Sequence, residues 1–377
     1  MKDKKSPFDV WIRIKPFARI TVNDFSVISP KKGGRGIEKS PSRSQFKTRS
    51  KSPINGTVMS KIKQEQSELD RTDYKGILIQ QDQIIIDPED QSNNTKLTRS
   101  KNQVITFPSI INESQSNEDI FEIRLAPLLS DLLQGKSFTM MTYGISGSGK
   151  SHTIFGNAQT GEHGGLLNCC NELFRQKELL KAERDIRLHI SFMEIYNEKV
   201  YDLLSNEVKN LTIVESPYNN GVIVPELETK EVASFAELKC LVARALIKRI
   251  VSPNLNNMNS SRSHVVVEIS LTMTDTKDGR RQSSKVKFVD LAGSEKVYLE
   301  EKDLMQEGAN INKSLLSLTN CINILSDDRK RNTAFIPYRN SKLTRILKDS
   351  LGNCPSTRWR RPCLLHRLSL PERHLLR

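Results

Sequence analysis

The sequence predicts an α/β fold, a central mixed, mostly parallel β-sheet with helices on both faces. Three observations point there. Short apolar or alternating runs of strand type are interleaved with longer stretches of helical periodicity. One apolar run, Ser137-Phe138-Thr139-Met140-Met141-Thr142-Tyr143, passes directly into the glycine-rich loop Gly144-Ile145-Ser146-Gly147-Ser148-Gly149-Lys150-Ser151. A helical pattern follows that loop at once, the setting in which its GxxxxGK[ST] spacing carries chemistry.

The elements come in order. Phe8-Asp9-Val10-Trp11-Ile12-Arg13-Ile14 alternates as a strand does and stops at Pro16. Residues 31–63 turn to Ser, Pro, Gly, Lys and Arg, which bury too little apolar surface to offset their ordering entropy, so they read as a disordered basic insertion. Strand-like runs return at Ile77–Ile79 and Ile84–Ile86. A helix is expected from Asn117 to Gln134, closed by Gly135. Later strands are expected at Ile186–Ile195, Val265–Thr274 and Lys285–Asp290, and helices at Phe235–Ile250, Glu307–Leu325 and Asn340–Leu351. There is no internal repeat and no sustained heptad pattern.

Bulk properties narrow the function classes. Of the formal charge of +14, residues 31–63 carry +9 and residues 354–377 carry +5, which leaves the body neutral. The basic excess sits in appendages, so a nucleic-acid-binding body is not favoured. No apolar run approaches the roughly 18 residues of a membrane helix, and no secretion signal opens the chain. Cys169, Cys170, Cys240, Cys321, Cys354 and Cys363 form no CxxC pair, the usage of a reduced, cytoplasmic protein.

The glycine-rich loop marks a P-loop NTPase. Its glycines let successive N–H groups turn toward phosphate oxygens, and the helix that begins there adds its positive end. Lys150 supplies a charge to the β- and γ-phosphates, and the Ser151 hydroxyl is the expected Mg²⁺ ligand. ATP and Mg²⁺ are the expected cofactors.

Three further segments narrow this. Asn257-Met258-Asn259-Ser260-Ser261-Arg262-Ser263-His264, Asp290-Leu291-Ala292-Gly293-Ser294-Glu295 and Pro337-Tyr338-Arg339-Asn340-Ser341-Lys342-Leu343-Thr344-Arg345 occur in that order. They resemble the NxxSSRSH first switch, the DLAGSE second switch and the PYRxSKLTR segment of kinesin motor domains, with Ile311-Asn312-Lys313-Ser314-Leu315 similar to the family's INKSL. The resemblance covers residues 8–353 and implies the kinesin motor fold. It implies that Ser260, Ser261, Arg262, Gly293 and Glu295 form the catalytic group. Ser260 and Ser261 would contact water, γ-phosphate or Mg²⁺, Arg262 would pair with Glu295, and the Gly293 N–H would meet the terminal phosphate. Ser151, Ser261 and Asp290 (through water) would gather around the metal. Arg13, Lys15 and Pro16 resemble an RxRP segment whose proline and basic groups flank the base. The loop from Gly144 to Ser151, with Ile145, Ser146, Gly147, Ser148, Gly149 and Lys150, would hold the phosphates, and His152 lies beside it in a hydrogen-bonding or packing role. Lys15 and Ile145 depart from the family's arginine and glutamine.

The resemblance also implies a microtubule partner. Ile311, Leu315, Leu318, Ile322 and Leu325 form one apolar stripe, with Lys313, Ser317 and Asn320 opposite. Leu343, Ile346, Leu347 and Leu351 read as the buried side of the next helix, with Lys342, Arg345 and Lys348 projecting. The expected footprint on acidic tubulin is Lys313, Arg329, Lys330, Arg331, Arg339, Lys342 and Arg345, placing the protein on the cytoskeleton.

After Asn353 the pattern breaks. Residues 354–377 match neither the family's last central strand nor a neck linker, so the chain reads as altered or truncated there, with a disordered tail. The empty slot would expose ladder hydrogen bonds, and residues 363–370 would substitute poorly. A non-motile microtubule-binding protein with impaired ATPase is therefore the second reading, and RNA binding through the Arg/Ser-rich insertion a third. Oligomeric state, direction and cargo are not encoded in any matched segment. Deleting residues 31–63 is expected to weaken microtubule affinity mainly at low salt, because a +9 segment acts at a distance; co-sedimentation with an unchanged salt dependence would remove that role.

Overall fold

The computed structural model describes residues 9–14, 77–80, 83–86, 103–106, 110–111, 114–216, 221–251, 261–295, 302–327, 329–331, 333–352 and 363–368. The basic insertion at 31–63, Lys15, Pro16 and Ser260 lie outside them. The chain divides into two units. Phe17–Thr106 carries a three-stranded antiparallel sheet in the order Ile77–Gln80, Gln83–Ile86, Gln103–Thr106.

The other unit, Met1–Pro16 with Phe107–Arg377, carries a nine-stranded sheet. Its strands are β1 (Asp9–Ile14), β2 (Ile110–Ile111), β3 (Phe138–Tyr143), β4 (Arg184–Tyr196), β5 (Lys199–Asp202), β6 (Lys230–Val232), β7 (His264–Asp275), β8 (Arg281–Asp290) and β9 (Cys363–Leu368). The order is β5-β4-β7-β8-β3-β9-β1-β2, with β6 also on β4. From β8 to β2 all neighbours are parallel; β5, β6 and β7 are antiparallel to β4, and β7 to β8.

Strand β9 corrects the expectation of an empty slot. Cys363–Leu368 pairs with β1 over its whole length, and Cys363–His366 pairs with β3. The tail thus supplies the ladder partners that both strands require, and a six-residue run without proline is enough for that. Residues 354–362 and 369–377 lie outside the described residues.

The helices are α1, α2 (Lys150–Phe155), α3 (Gly165–Leu180), α4 (Phe235–Val251), α5 (Lys302–Ser326), α6 (Lys342–Ile346) and α7 (Lys348–Leu351); α1 joins Asn117–Ile120, a π-helical stretch Phe121–Leu125 and Ala126–Leu132. Ser116 caps α1 through a reciprocal box with Asp119: the Asp119 N–H donates to the Ser116 hydroxyl at 3.1 Å, and the Ser116 N–H donates to the Asp119 carboxylate at 2.7 Å. The helix from residue 340 divides at Leu347 into α6 and α7.

Alternation along the strands sorts the core into two layers. Phe138, Met140, Phe192, Val265, Val267 and Phe288 pack with α1, α2, α3 and α4. Met141, Met193, Val266 and Val289 pack on the other face with the stripes of α5, α6 and α7. Between sheet and α6 sits a buried charge. Lys287 lies 3.6 Å from Glu268 and donates to the Ile346 carbonyl at 3.4 Å, while Lys285 bonds the same carboxylate at 2.7 Å. Burial pushes the Glu268 carboxyl up, and the Lys287 and Lys285 charges outweigh it, bringing it down to about 2. An unfolded carboxyl titrates near 4.5. The depressed folded value makes this contribution complete above the unfolded one and lost as pH falls through the folded one. The stability difference between wild type and Glu268→Gln in urea unfolding is therefore expected to shrink from about pH 6 to pH 3; a constant difference would show that the pair does not hold.

Candidate functional site

The loop leaving β3 turns with positive φ at Gly147 (72°) and Gly149 (90°), angles that a side chain resists. Lys150 opens α2 only 6% exposed, and its ammonium donates to the carbonyls of Gly144 (2.9 Å) and Ile145 (2.7 Å). Burial lowers its pKa; Asp290 and Glu295 oppose that shift and Arg249 adds to it. Ile145 thus takes part through its backbone, whatever its side chain.

Asp290 ends β8 beside Thr142 of β3, so parallel pairing delivers it to the loop. Its Oδ2 accepts from the Ser151 hydroxyl at 2.6 Å and from Arg249 Nη1 at 3.0 Å. Arg249 comes from the end of α4, and its guanidinium also reaches the Ser263 carbonyl (3.3 Å) and lies 3.9 Å from Glu194 of β4. Burial raises the Glu194 pKa, against the Ser263 hydroxyl and the charges of Arg249 and Lys248. Asp290 Oδ1 and Ser148 Oγ are buried with no hydrogen-bond partner among the described residues. Two buried oxygens next to a lysine and a serine suit a metal-bound water and a phosphate.

The two switches meet at this loop. The Gly293 N–H donates to the Ser261 carbonyl at 2.8 Å, and the Ser294 N–H donates to the Gly144 carbonyl at 3.0 Å. The Glu295 carboxylate accepts from the Ser146 N–H at 2.9 Å and from the Ser146 hydroxyl. Burial raises the Glu295 pKa, but those bonds and the Lys150 charge outweigh it, so the net shift is downward. A Cβ on Gly293 would meet both Glu295 oxygens and the Ser146 hydroxyl, so a side chain there has to push the Glu295 carboxylate off Ser146. Ser261 and Arg262 are half-buried. His264, fully enclosed at 2% exposure, accepts from the Ala292 N–H at 2.9 Å.

The base-flanking expectation for Arg13 is corrected. Its side chain turns inward, donating to Asn117 Oδ1 (2.5 Å), Thr153 Oγ1 (2.8 Å) and the Gln115 carbonyl (3.3 Å). A guanidinium 2% exposed in β1 needs such acceptors, and α1 and α2 provide them. His152 bonds Glu162 at 3.0 Å, and Asn117 donates to its carbonyl at 3.1 Å.

On the far face, Lys313, Arg329, Lys330 and Arg339 are exposed, with Asn320. Ser317 is buried and bonds the Lys313 carbonyl, which corrects its placement opposite the stripe. Lys342 is half-buried. Arg331 donates to the Leu325 carbonyl at 2.8 Å at the end of α5. Arg345 and Lys348 do not project freely: they bond the Ile213 carbonyl (3.0 Å) and Glu215 (3.1 Å).

Arg249, Glu194 and Glu162 belong to no motif in the sequence. Glu194 carries the one local signal, a carboxylate inside the apolar run Phe192-Met193-Glu194-Ile195. Lys248-Arg249 reads as an ordinary basic last turn, and only long-range packing buries the second member. Replacing Arg249 by Met leaves Asp290 and Glu194 buried without their cation, so a loss of about 3–5 kcal/mol is expected in denaturant unfolding; a loss below about 1 kcal/mol would show that the network carries no such charge compensation.

Comparison with known proteins agrees with this geometry. A family model described as the kinesin motor domain matches residues 55–358. Kinesin-like protein KIF18B of Mus musculus is 37% identical over 269 residues, 70% of this chain and 32% of its own. Kinesin-like protein 6 of Schizosaccharomyces pombe is 36% identical over 319 residues, 77% of this chain and 39% of its own. The chain thus spans about a third of the length of such relatives. A solved structure of a fast kinesin superposes with a TM-score of 0.71 at 26% identity, over 96% of this chain and 85% of that one. The motor-domain structure of a Kar3-like kinesin from Ashbya gossypii, 21% identical with a TM-score of 0.67, shares the fold. The chain belongs to the kinesin motor-domain family.

Proposed function

We propose that this chain binds Mg-ATP, hydrolyses it with stimulation by microtubules, and couples loss of the γ-phosphate to microtubule affinity and movement. The observation that carries this is the convergence of both switches on the phosphate loop: Ser261 on Gly293, Gly144 on Ser294, and Ser151 on Asp290 at 2.6 Å. Lys150 and the loop N–H groups would hold the β- and γ-phosphates. Mg²⁺ would sit on the Ser151 and Ser261 hydroxyls, with Asp290 Oδ1 accepting from its water, and would neutralise phosphate charge. The chain's own groups position and orient. Ser260 and Ser261 would contact water, γ-phosphate or Mg²⁺, the Gly293 N–H would turn from Ser261 to the terminal phosphate, and Arg262 would pair with Glu295 to close the site. Lys15 and Pro16 would flank the base, and His152, bonded to Glu162, lies beside the phosphate loop.

The exposed Lys313, Arg329, Lys330 and Arg339, with Arg331, Lys342 and Arg345 behind them, form the footprint for acidic tubulin. In this reading the protein works on the cytoplasmic microtubule cytoskeleton. The non-motile reading stood on an empty slot in the sheet and on an unmatched neck linker, and β9 takes the first of these grounds away. Turnover measured with and without microtubules tests the function. Acceleration by the track is expected for wild type, with a fall of about 100-fold or more in Gly293→Ala, whose Cβ displaces Glu295. Retained co-sedimentation without any turnover in wild type would favour a binding protein instead.

A further inference from the structure

We propose that His264 is a positioning residue that ties the second switch to α5, one ring nitrogen on each, so that a displacement at Ala292 is delivered to Ser314. The inference rests on the motor reading above.

Both bonds are inside the protein. Nδ1 accepts from the Ala292 N–H at 2.9 Å, and Nε2 meets the Ser314 hydroxyl at 2.7 Å. That hydroxyl donates its own hydrogen to the Ile311 carbonyl at 2.7 Å, so Nε2 must be the donor in the second bond. The tautomer is therefore assigned by its partners, Nδ1 bare and Nε2 protonated. Burial, reinforced by the Arg249 and Lys150 charges, holds the ring's pKa down to about 3, so it acts as a neutral connector that keeps its Nε2 proton and takes up no second one.

The placing of the two partners gives the tie its use. Ala292 precedes Gly293, whose N–H is bonded to the first switch at Ser261. Ser314 is 2% exposed and adjoins Leu315, part of the stripe that seats α5 on the sheet. An imidazole is planar and has a fixed span, so a shift of Ala292 must either move Ser314 or leave a buried N–H without its acceptor. A flexible side chain in the same place would absorb the shift.

A double-mutant cycle on turnover tests this. Ser314→Ala removes the acceptor on α5, and His264→Asn keeps a carbonyl oxygen near Nδ1 while withdrawing the Nε2 donor. The readout is the ratio of microtubule-stimulated to basal turnover, in which any inactive fraction cancels. Each single variant is expected to lower that ratio by about five- to tenfold, the effect of one buried hydrogen bond, with Ser314→Ala keeping basal turnover within about twofold. The double variant is expected to be no worse than the poorer single one, because both cut the same bond. An unchanged ratio in Ser314→Ala, or losses that multiply in the double variant, would overturn the proposal. A wild-type chain that microtubules do not stimulate sinks the motor reading and takes this inference with it, an outcome distinct from a stimulated wild type with indifferent variants.

Discussion

An ionised carboxylate buried at a strand end is stable only if donors surround it, and the setting of Asp290 follows from that requirement. At 1% exposure it takes one donor from α2 (Ser151) and one from α4 (Arg249). Arg249, itself buried, then needs further acceptors, which it finds in the first switch at Ser263 and in β4 at Glu194. One charge at the tip of β8 thereby draws the phosphate loop, both switches and a helix end into a single cluster. Moving any member changes the solvation of the rest.

The sheet gives that cluster two different supports. On one face α1, α2, α3 and α4 bury a broad apolar layer, and Arg13 adds polar ties from β1 to α1 and α2. On the other face α5, α6 and α7 cover a smaller cluster. The Asn197–Glu198 turn between β4 and β5, with φ of 49° and 57°, reaches both α5 and α6: Asn310 donates to Asn197, and the Lys342 N–H donates to Glu198 at 3.0 Å. Lys287 holds the end of α6 down at Ile346. The second face is thus pinned at discrete polar points, an arrangement that permits a helix to change its seat without dissolving the core.

Much of this was legible beforehand because it is local. The strand–loop–helix at Ser137–Ser151, the strand ending in Asp290 and the α5 stripe are periodicities and spacings that a chain carries on its face. What was not legible depends on distance. Arg13 sits in a segment that resembles a base-flanking motif, yet its alternation in β1 points it inward to Asn117. Arg249 and Glu194 meet only after α4 packs on β4. Ser317 looks polar and outward on a helical wheel, but its hydroxyl folds back onto Lys313 and needs no solvent. The tail misled for a related reason: Cys363–Leu368 matches no family segment, while the slot asks mainly for backbone donors and acceptors.

That last strand has a consequence for how the molecule is made. β1 and β3 are joined side by side only through β9, about 350 residues along the chain from β1. At about 5–20 residues per second on the ribosome, the first strand waits roughly 20–70 s for its neighbour. Until β9 is made, the edge of β1, and later that of β3, has no partner there and is open to foreign chains. The middle of the sheet is therefore the part of its ladder whose last strand the chain supplies latest.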